Sequence, residues 1–274
     1  MGLGKRLGDD TSSFDHTSSI VAPGTIGWQA PEVLAMKESG SVSTRRTRAV
    51  DIWSLGCVLY GVLDAGLHPF ADSPHEREHA ILTTEPHLDR LEPMAKDLLG
   101  MMLARDPDAR PSASECLAHP FFFTDRRRLE FLVTVSNRLE REVDGASPLL
   151  AAFESFRDLV FSGSWADRLP RVVLQSGEHH RRYNYTSLRD CLRFLRNRTN
   201  HFSENSVECL QAVGKGSTCA KDKVAFVRFF LETERFPSLL LAVFCFAQHH
   251  LSDTSEIREF LKDAPVVLPQ HPKR

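Results

Sequence analysis

The sequence predicts a mainly α-helical protein. Beyond Thr124, apolar residues recur at three- and four-residue spacing, the period of an amphipathic helix, and no alternating strand pattern persists. An earlier segment, "DIWSLGCVLYGVLDAGLHPF", is apolar on most of a helix circumference, which is typical of a helix in the middle of a domain. Because 274 residues suffice for two separate cores, we expect two helical domains in series.

Composition and charge match an ordinary soluble globular protein. Apolar residues make up 42% of the chain, and the net charge of −2 creates no overall attraction to nucleic acid or to an anionic membrane. Six cysteines lie at irregular spacing without a C-x-x-C pair, which favours free thiols over disulfides or a zinc site. The N-terminus does not resemble a signal peptide, and the longest apolar run, Leu239 to Ala247, is too short to span a bilayer. We therefore expect a cytoplasmic chain without a metal site.

The chain divides into three predicted regions, residues 1–123, 124–251 and 252–274. The first region opens with a polar loop rich in serine and threonine and continues into helices. The second region is a run of amphipathic helices, which starts with "RRRLEFLVTVSNRLEREV". The third region is polar and ends in "VVLPQHPKR", so we expect a flexible tail there.

Three motifs in the first region stand in the order and at the spacing found in protein kinases. "GTIGWQAPE" resembles the end of a kinase activation segment, and "DIWSLG", which starts at Asp51, resembles the beginning of the central helix of the large lobe. "RDPDARPS" contains Arg110, which in kinases pairs with the glutamate of the A-P-E signature, here Glu32. The resemblance implies structural roles for Glu32, Asp51 and Arg110, with Asp51 bonded to a catalytic loop that this sequence lacks.

The motifs that perform phosphoryl transfer are absent from the sequence. It contains no Gly-rich phosphate loop in register, no strand lysine, no H-R-D motif and no D-F-G aspartate for Mg²⁺. We therefore expect no kinase activity from this polypeptide, and we expect ATP or ADP and Mg²⁺ to bind only in a full-length kinase domain. An active serine/threonine protein kinase remains the alternative if the true chain extends upstream.

Two further expectations follow for the kinase-like region. Its polar loop carries hydroxyls where kinases are phosphorylated, so these residues are either phospho-acceptors or merely polar: Ser12, Ser13, Thr17, Ser18 and Ser19. The apolar helix from Asp51 to Leu67 lacks the rest of a large lobe to cover it. We therefore expect exposed apolar surface and a tendency of this region to aggregate.

The segment "YNYTSLRDCLRFLRNRTNHF", Tyr183 to Phe202, is strongly basic. Between Arg181 and Phe202 there are six arginines and one acid, Asp190. Ser187 is a predicted N-cap with Asp190 as its capping partner, and a buried stripe follows at Leu188, Leu192 and Leu195. Arginines and asparagines recur on a second face, which suggests an RNA-binding surface with Arg189, Arg193 and Arg198 as phosphate ligands. A merely solvated basic helix is the alternative.

Four residues in this segment have the chemistry that RNA cleavage without a metal requires: Tyr183, Arg196, Asn197 and His201. A base takes the proton of the ribose 2′-hydroxyl, cations stabilise the charged phosphorane, and an acid protonates the leaving 5′-oxygen. Histidine, with an ordinary pKa of about 6.5, can be that acid at neutral pH. Tyrosine is a poor base unless neighbouring arginines lower its pKa.

The second region, with "SWADRLP" and "ERFPSLLL", resembles the KEN ribonuclease domain of the inositol-requiring enzyme family, the kinase-endoribonucleases of the unfolded protein response. The same domain occurs in ribonuclease L. The resemblance implies that Tyr183, Arg196, Asn197 and His201 are catalytic. It also implies an endoribonuclease that cuts RNA hairpin loops without a cofactor and leaves 2′,3′-cyclic phosphate and 5′-hydroxyl ends.

The family's other properties are expectations for this chain. The resemblance implies RNA rather than DNA as substrate, activation by formation of a homodimer or oligomer, and roles in stress-response mRNA processing and decay. Full-length relatives lie at the endoplasmic reticulum membrane, with the part that resembles this chain in the cytosol. Upstream segments that this sequence lacks attach them to the membrane. The stretch "SVECLQAVGKGSTCAKDK", residues 206–223, departs from the family pattern as an altered loop. A catalytically silent RNA-binding or regulatory module is the alternative function.

Overall fold

The structure is a computed structural model that describes residues 13–14, 27–39, 46–143, 145, 147–178, 182–214 and 219–267. The chain forms two compact units, Met1–Leu117 and Ala118–Arg274. The prediction of a mainly α-helical fold is confirmed, since the strands in the described part are two short ones, β1 (Ser13–Phe14) and β2 (Arg46–Thr47), paired antiparallel. No helix of the described residues is long and apolar enough to cross a membrane.

The first unit is built around one long apolar helix. Its helices are α1 (Pro31–Ser39), α2 (Arg48–Leu63), α3 (Arg77–Thr83), α4 (Pro93–Met102) and α5 (Ala113–Ala118). Trp53 on α2 is fully buried and stacks on Phe70 with ring centroids 5.3 Å apart. The opposite face of α2 is open, because Leu55, Val58 and Val62 are 52%, 50% and 75% exposed. The expected apolar exposure is therefore present, and the tendency to aggregate stays a prediction.

The structure forms the ion pair expected between Glu32 and Arg110. Two parallel hydrogen bonds of 2.8 Å join the guanidinium of Arg110 to the carboxylate of Glu32. The Arg110 side chain is fully buried and its guanidinium lies 4.9 Å from the ring of Trp53. Arg110 also donates to the carbonyl of Ala104 at 2.7 Å, so it ties α1, α2 and the loop after α4 together. Asp51 is exposed in the first turn of α2.

Replacing Glu32 with alanine is expected to destabilise the first unit by about 3 kcal/mol, because a buried guanidinium loses its charged partner. Amide hydrogen exchange of α1 and α2 in the whole chain measures this loss. The control is Glu85→Ala, which breaks an exposed pair with Arg105 at 3.4 Å and is expected to cost less than about 1 kcal/mol. Equal effects of the two variants would contradict a structural role for the buried pair.

The second unit contains nine described α-helices, and the most basic of them, α10, packs against four others. They are α6 (Asp125–Leu139), α7 (Pro148–Glu154), α8 (Arg157–Val160), α9 (Arg171–Glu178), α10 (Leu188–Asn200), α11 (Val207–Val213), α12 (Val224–Phe230), α13 (Leu239–His250) and α14 (Ser255–Leu261). Helix α10 packs against α6, α7, α9 and α12. Its predicted buried stripe is confirmed, since Leu188, Leu192 and Leu195 are at most 1% exposed.

The prediction of a flexible tail after residue 251 is wrong for residues 252–267. Helix α14 packs on α6 and α13, and its Ile257 is fully buried. Beyond it, Val267 is fully buried and its backbone N–H donates to the side-chain oxygen of Gln248 at 2.9 Å. A few apolar residues in this polar segment are thus enough to pack it against helices α6 and α13. Residues 268–274 lie outside the described part.

Two other predictions fall partly outside the described residues. Among the five candidate phospho-acceptors, Ser13 lies in β1, and Ser12, Thr17, Ser18 and Ser19 are not described. In the expected altered loop, residues 207–213 form α11, residues 219–223 are described, and residues 215–218 are not.

Candidate active site

The start of helix α10 is fixed by two side chains. Ser187 is the N-cap as predicted, since its hydroxyl accepts the N–H of Asp190 at 3.1 Å. Glu154, at the end of α7, accepts hydrogen bonds from the Ser187 hydroxyl at 2.6 Å and from the N–H groups of Leu188 and Arg189 at 2.9 and 3.0 Å. A carboxylate at this end satisfies free backbone donors and complements the helix dipole.

The loop that carries Tyr183 is anchored on both sides. Asp190 accepts the N–H of Asn184 at 2.6 Å, and the indole N–H of Trp165 donates to the carbonyl of Asn184 at 3.2 Å. The Tyr183 ring is 9% exposed and meets the rings of Trp165 and Phe194 edge to face at 6.1 and 5.3 Å. These contacts hold the phenol in one place beside α10.

Three of the four predicted catalytic residues form one hydrogen-bonded chain. The Asn197 side-chain N–H donates to Tyr183 Oη at 2.9 Å, and Arg196 Nη1 donates to Asn197 Oδ1 at 3.0 Å. Arg196 Nε also donates to Asn137 Oδ1 at 2.7 Å. Because arginine can only donate, the oxygen of each asparagine must face the guanidinium. The amide N–H of Asn197 is thereby directed at the tyrosine oxygen.

His201, the fourth predicted catalytic residue, ends helix α10. The backbone N–H of His201 donates to the backbone carbonyl of Asn197 at 3.0 Å, and the His201 side chain is 54% exposed. The imidazole Nδ1 lies 2.8 Å from Glu204 Oε1. Buried Asn205 holds the backbone below it, since its side-chain N–H group donates to the carbonyls of Arg198, His201 and Phe202 at 3.1, 3.2 and 2.9 Å. His201 therefore lies one turn after Asn197 on a fixed backbone, with an accessible ring.

The predicted phosphate-binding face is wrong for the other three arginines of α10. Arg193 is 4% exposed and donates to Glu140 at 2.6 Å and to Asp190 at 2.5 Å. Arg198 is 3% exposed and donates to the backbone oxygen of Ser176 and to Asn205.

Arg189 is mostly buried as well, and it donates to the carbonyl of Leu139 at 3.2 Å. Acceptors from distant parts of the chain take up these three charges, so the guanidinium groups join α10 to its neighbours. Arg196 remains partly exposed, and Arg182, which precedes Tyr183 in the sequence, is exposed.

Sequence reasoning missed the residues that support the site. No motif marks any of these residues: Asn137 on α6, Glu140 at its end, Glu154 on α7 and Asn205 after α10. Trp165 lies in "SWADRLP", a stretch that only the family resemblance connects with the site. Glu204 is the one supporting residue that local spacing could have identified. It lies three residues after His201, so the two side chains can meet where the chain turns.

The two cysteines next to the site are buried structural thiols. Burial raises the pKa of Cys191 on α10 and that of Cys209 on α11, so both stay protonated and act as small apolar groups. All six cysteines are free, as the sequence predicted.

Gly177 on α9 gives Phe194 the space it needs beneath Tyr183. A Cβ at residue 177 would lie 2.3 Å from Phe194 Cε2. Replacing Gly177 with alanine is therefore expected to displace Phe194, to destabilise the second unit by about 1–3 kcal/mol and to lower activity through Tyr183. Amide hydrogen exchange of α10 measures the stability. The double variant Gly177→Ala with Phe194→Leu is the control, and it should be more stable than Gly177→Ala alone.

The two units correspond to two known domain families, a part of a protein kinase domain followed by a domain of the ribonuclease 2-5A family. The family model for ribonuclease 2-5A matches residues 128–261, and the family model for the protein kinase domain matches residues 1–122. The chain belongs to the serine/threonine-protein kinase/endoribonuclease family, in which these two domains occur together. The resemblance found in the sequence is thereby confirmed.

Curated relatives match nearly the whole chain but only a part of their own length. The chain is 38% identical to serine/threonine-protein kinase/endoribonuclease IRE1b of Arabidopsis thaliana over 89% of this chain and 26% of the relative. It is 41% identical to serine/threonine-protein kinase/endoribonuclease IRE2 of Homo sapiens over 88% of this chain and 25% of the relative. It is 31% identical to a Schizosaccharomyces pombe protein that is named "sensor for unfolded proteins in the ER ire1". This match covers 95% of this chain and 25% of the relative. The chain thus spans about a quarter of the length of these relatives.

Proposed function

We propose that this chain is an endoribonuclease that cleaves RNA hairpin loops without a metal ion and leaves 2′,3′-cyclic phosphate and 5′-hydroxyl ends. The observation that carries the proposal is the hydrogen-bonded chain from Arg196 through Asn197 to Tyr183, with His201 at the end of the same helix. A phenol, a cation and an imidazole can supply the base, the charge that stabilises the phosphorane and the acid that phosphodiester transesterification uses. The match of residues 128–261 to the ribonuclease 2-5A family supports the same activity.

In the proposed reaction the ribose 2′-oxygen attacks phosphorus and the bond from phosphorus to the 5′-oxygen breaks. Tyr183 Oη is the base that takes the proton of the 2′-hydroxyl. Arg196 binds the non-bridging oxygens as negative charge develops in the phosphorane. His201, in its imidazolium form, donates a proton to the leaving 5′-oxygen. Asn197 orients the phenol through the 2.9 Å hydrogen bond to its oxygen.

The proposal includes partners and cellular context. The substrate is RNA and not DNA, because the reaction needs the 2′-hydroxyl as nucleophile. Activity needs no cofactor and increases on homodimer or oligomer formation. The proposed role is mRNA processing and decay in the unfolded protein response. The name of the fission-yeast relative, sensor for unfolded proteins in the ER ire1, supports the link to unfolded proteins. A longer form would lie at the endoplasmic reticulum membrane with this part in the cytosol, and there the kinase domain would bind ATP or ADP with Mg²⁺.

The test is cleavage of an end-labelled RNA hairpin by the whole chain in EDTA, over a series of protein concentrations. The expected result is cutting in the loop, cyclic-phosphate ends and a rate per molecule that rises with concentration. The matched control is the same hairpin with one 2′-deoxy nucleotide at the cut position, which should resist cleavage only there. RNA binding without cutting would favour the silent regulatory module, and cleavage of the deoxy substrate would refute the chemistry.

A further inference from the structure

Asn137, on helix α6, contacts the proposed active site from a distant part of the sequence. Its side-chain oxygen accepts the Nε–H of Arg196 at 2.7 Å, across 59 positions of the chain. Asn137 is exposed and lies in the last turns of α6. Its side chain therefore fills no part of the core, and packing does not account for the contact.

The contact fixes one end of the chain of hydrogen bonds that reaches Tyr183. With Nε turned to Asn137, Nη1 of Arg196 donates to Asn197, and Asn197 donates to Tyr183 Oη. The direction of every donor in this series follows from the guanidinium, which has no acceptor. Loss of the first acceptor would free the guanidinium to rotate and would loosen the amide that orients the phenol.

The contact also leaves a defined set of donors for a ligand. Within the described residues, Arg196 uses Nε and one N–H of Nη1, which are two of the five N–H groups of a guanidinium. The three others are all on the Nη atoms. Two N–H groups on neighbouring nitrogens are what a phosphate binds with two parallel hydrogen bonds. Asn137 thus determines which edge of Arg196 is presented to a phosphate.

Helix α6 is a rigid support for this contact. Glu140, one turn beyond Asn137, accepts from Arg193 Nε at 2.6 Å, and the carbonyl of Leu139 accepts from Arg189 at 3.2 Å. These bonds involve mostly buried arginines of α10, so α6 and α10 are held in register directly beside Asn137. A side chain on such a support can hold a catalytic group within the narrow tolerance that reaction geometry requires.

We propose that Asn137 is a positioning residue for RNA cleavage. It holds the guanidinium of Arg196 towards the scissile phosphate, and through Arg196 it keeps Asn197 directed at Tyr183. The inference rests on the proposed function. It predicts that Asn137 acts mainly after substrate has bound, because Arg196 contributes most when charge develops on the phosphorane. A loss of kcat with little change in KM is the signature of such a contribution.

The experiment compares the whole chain with Asn137→Ala, Asn137→Asp and Arg141→Ala in hairpin cleavage in EDTA. The expected result is a fall in kcat of roughly 10- to 100-fold in Asn137→Ala, with KM changed less than about threefold. Asn137→Asp retains an acceptor for Nε and should recover most of the kcat. Arg141 lies just after the end of the same helix, where it pairs with Glu256 at 3.5 Å outside the site, so Arg141→Ala should match the wild-type chain.

A second readout follows Arg196 itself. In the ¹H–¹⁵N spectrum, the Nε–H of Arg196 should exchange slowly in the wild-type chain and in Asn137→Asp, and fast in Asn137→Ala. An active wild-type chain with unchanged kcat in Asn137→Ala would overturn the inference alone, and so would unchanged Nε–H exchange. A wild-type chain that cuts no RNA would overturn the proposed function and the catalytic role of Asn137 with it. Equal melting temperatures of all variants would show that unfolding does not explain a loss of kcat.

Discussion

Replacing His201 with alanine is expected to lower kcat for hairpin cleavage by about 10³-fold, because the leaving 5′-oxygen then departs without a proton. Stability should hardly change, since the His201 side chain is 54% exposed and bonds only to exposed Glu204 in the described part of the chain. Single-turnover cleavage in EDTA measures the effect. His250→Ala, which removes an exposed histidine from the end of α13, is the control and should retain wild-type activity.

The role of His201 can be separated from a general loss of activity with a modified substrate. A hairpin with sulfur in place of the bridging 5′-oxygen has a leaving group that needs no proton. His201→Ala should cut this substrate nearly as well as the wild-type chain does, whereas Tyr183→Phe should fail on both substrates because it lacks the base. If the sulfur substrate restores no activity to His201→Ala, His201 is not the general acid.

Replacing Arg193 with alanine is expected to destabilise the second unit by about 3–5 kcal/mol, because two carboxylates lose their shared cation. Glu140 and Asp190 lie 2.6 and 2.5 Å from the guanidinium, and the side chains of all three residues are at most 20% exposed. Asp190 also holds the Tyr183 loop through Asn184, so activity should be lost together with structure. Amide hydrogen exchange of α6 and α10 measures the change.

Arg196→Ala is the matched comparison for Arg193→Ala. It removes an arginine one turn further along the same helix, but the side chain is partly exposed and bonded to two neutral amides. Its expected cost in stability is about 1 kcal/mol, while cleavage should nearly disappear. If Arg193→Ala instead kept its stability and lost only RNA affinity, the sequence interpretation of Arg193 as a phosphate ligand would be restored.

Local patterns predicted helix α10 well. Ser187 caps it, the leucine stripe is buried, and the apolar period extends through the second unit. Each of these features depends on residues within a few positions of one another, so helical spacing alone is enough to find them. The tail after residue 251 was mispredicted for the opposite reason. Its few apolar residues gain partners from α6, which is distant in sequence, as well as from the neighbouring helix α13.

Local sequence patterns could not predict which arginines of the basic face are buried. The four arginines of α10 look equivalent along the helix. In the structure, however, Arg193 and Arg198 are buried and the side chain of Arg189 is only 11% exposed, whereas Arg196 is partly exposed and keeps N–H groups for a ligand. A charge moves into the interior only where acceptors compensate its desolvation. Glu140 and Asn205 provide this compensation, and nothing in the local pattern identifies them as partners.

The sequence by itself determined the helical fold class, the family, and the four residues whose chemistry fits RNA cleavage. These follow from spacing and residue type, which are properties of neighbours along the chain. Only the tertiary structure decided which arginines are available to a phosphate and which residue holds Arg196 in place. That decision depends on where α6, α7 and α9 place their acceptors, because a guanidinium is buried or presented according to the partners that surround it in space.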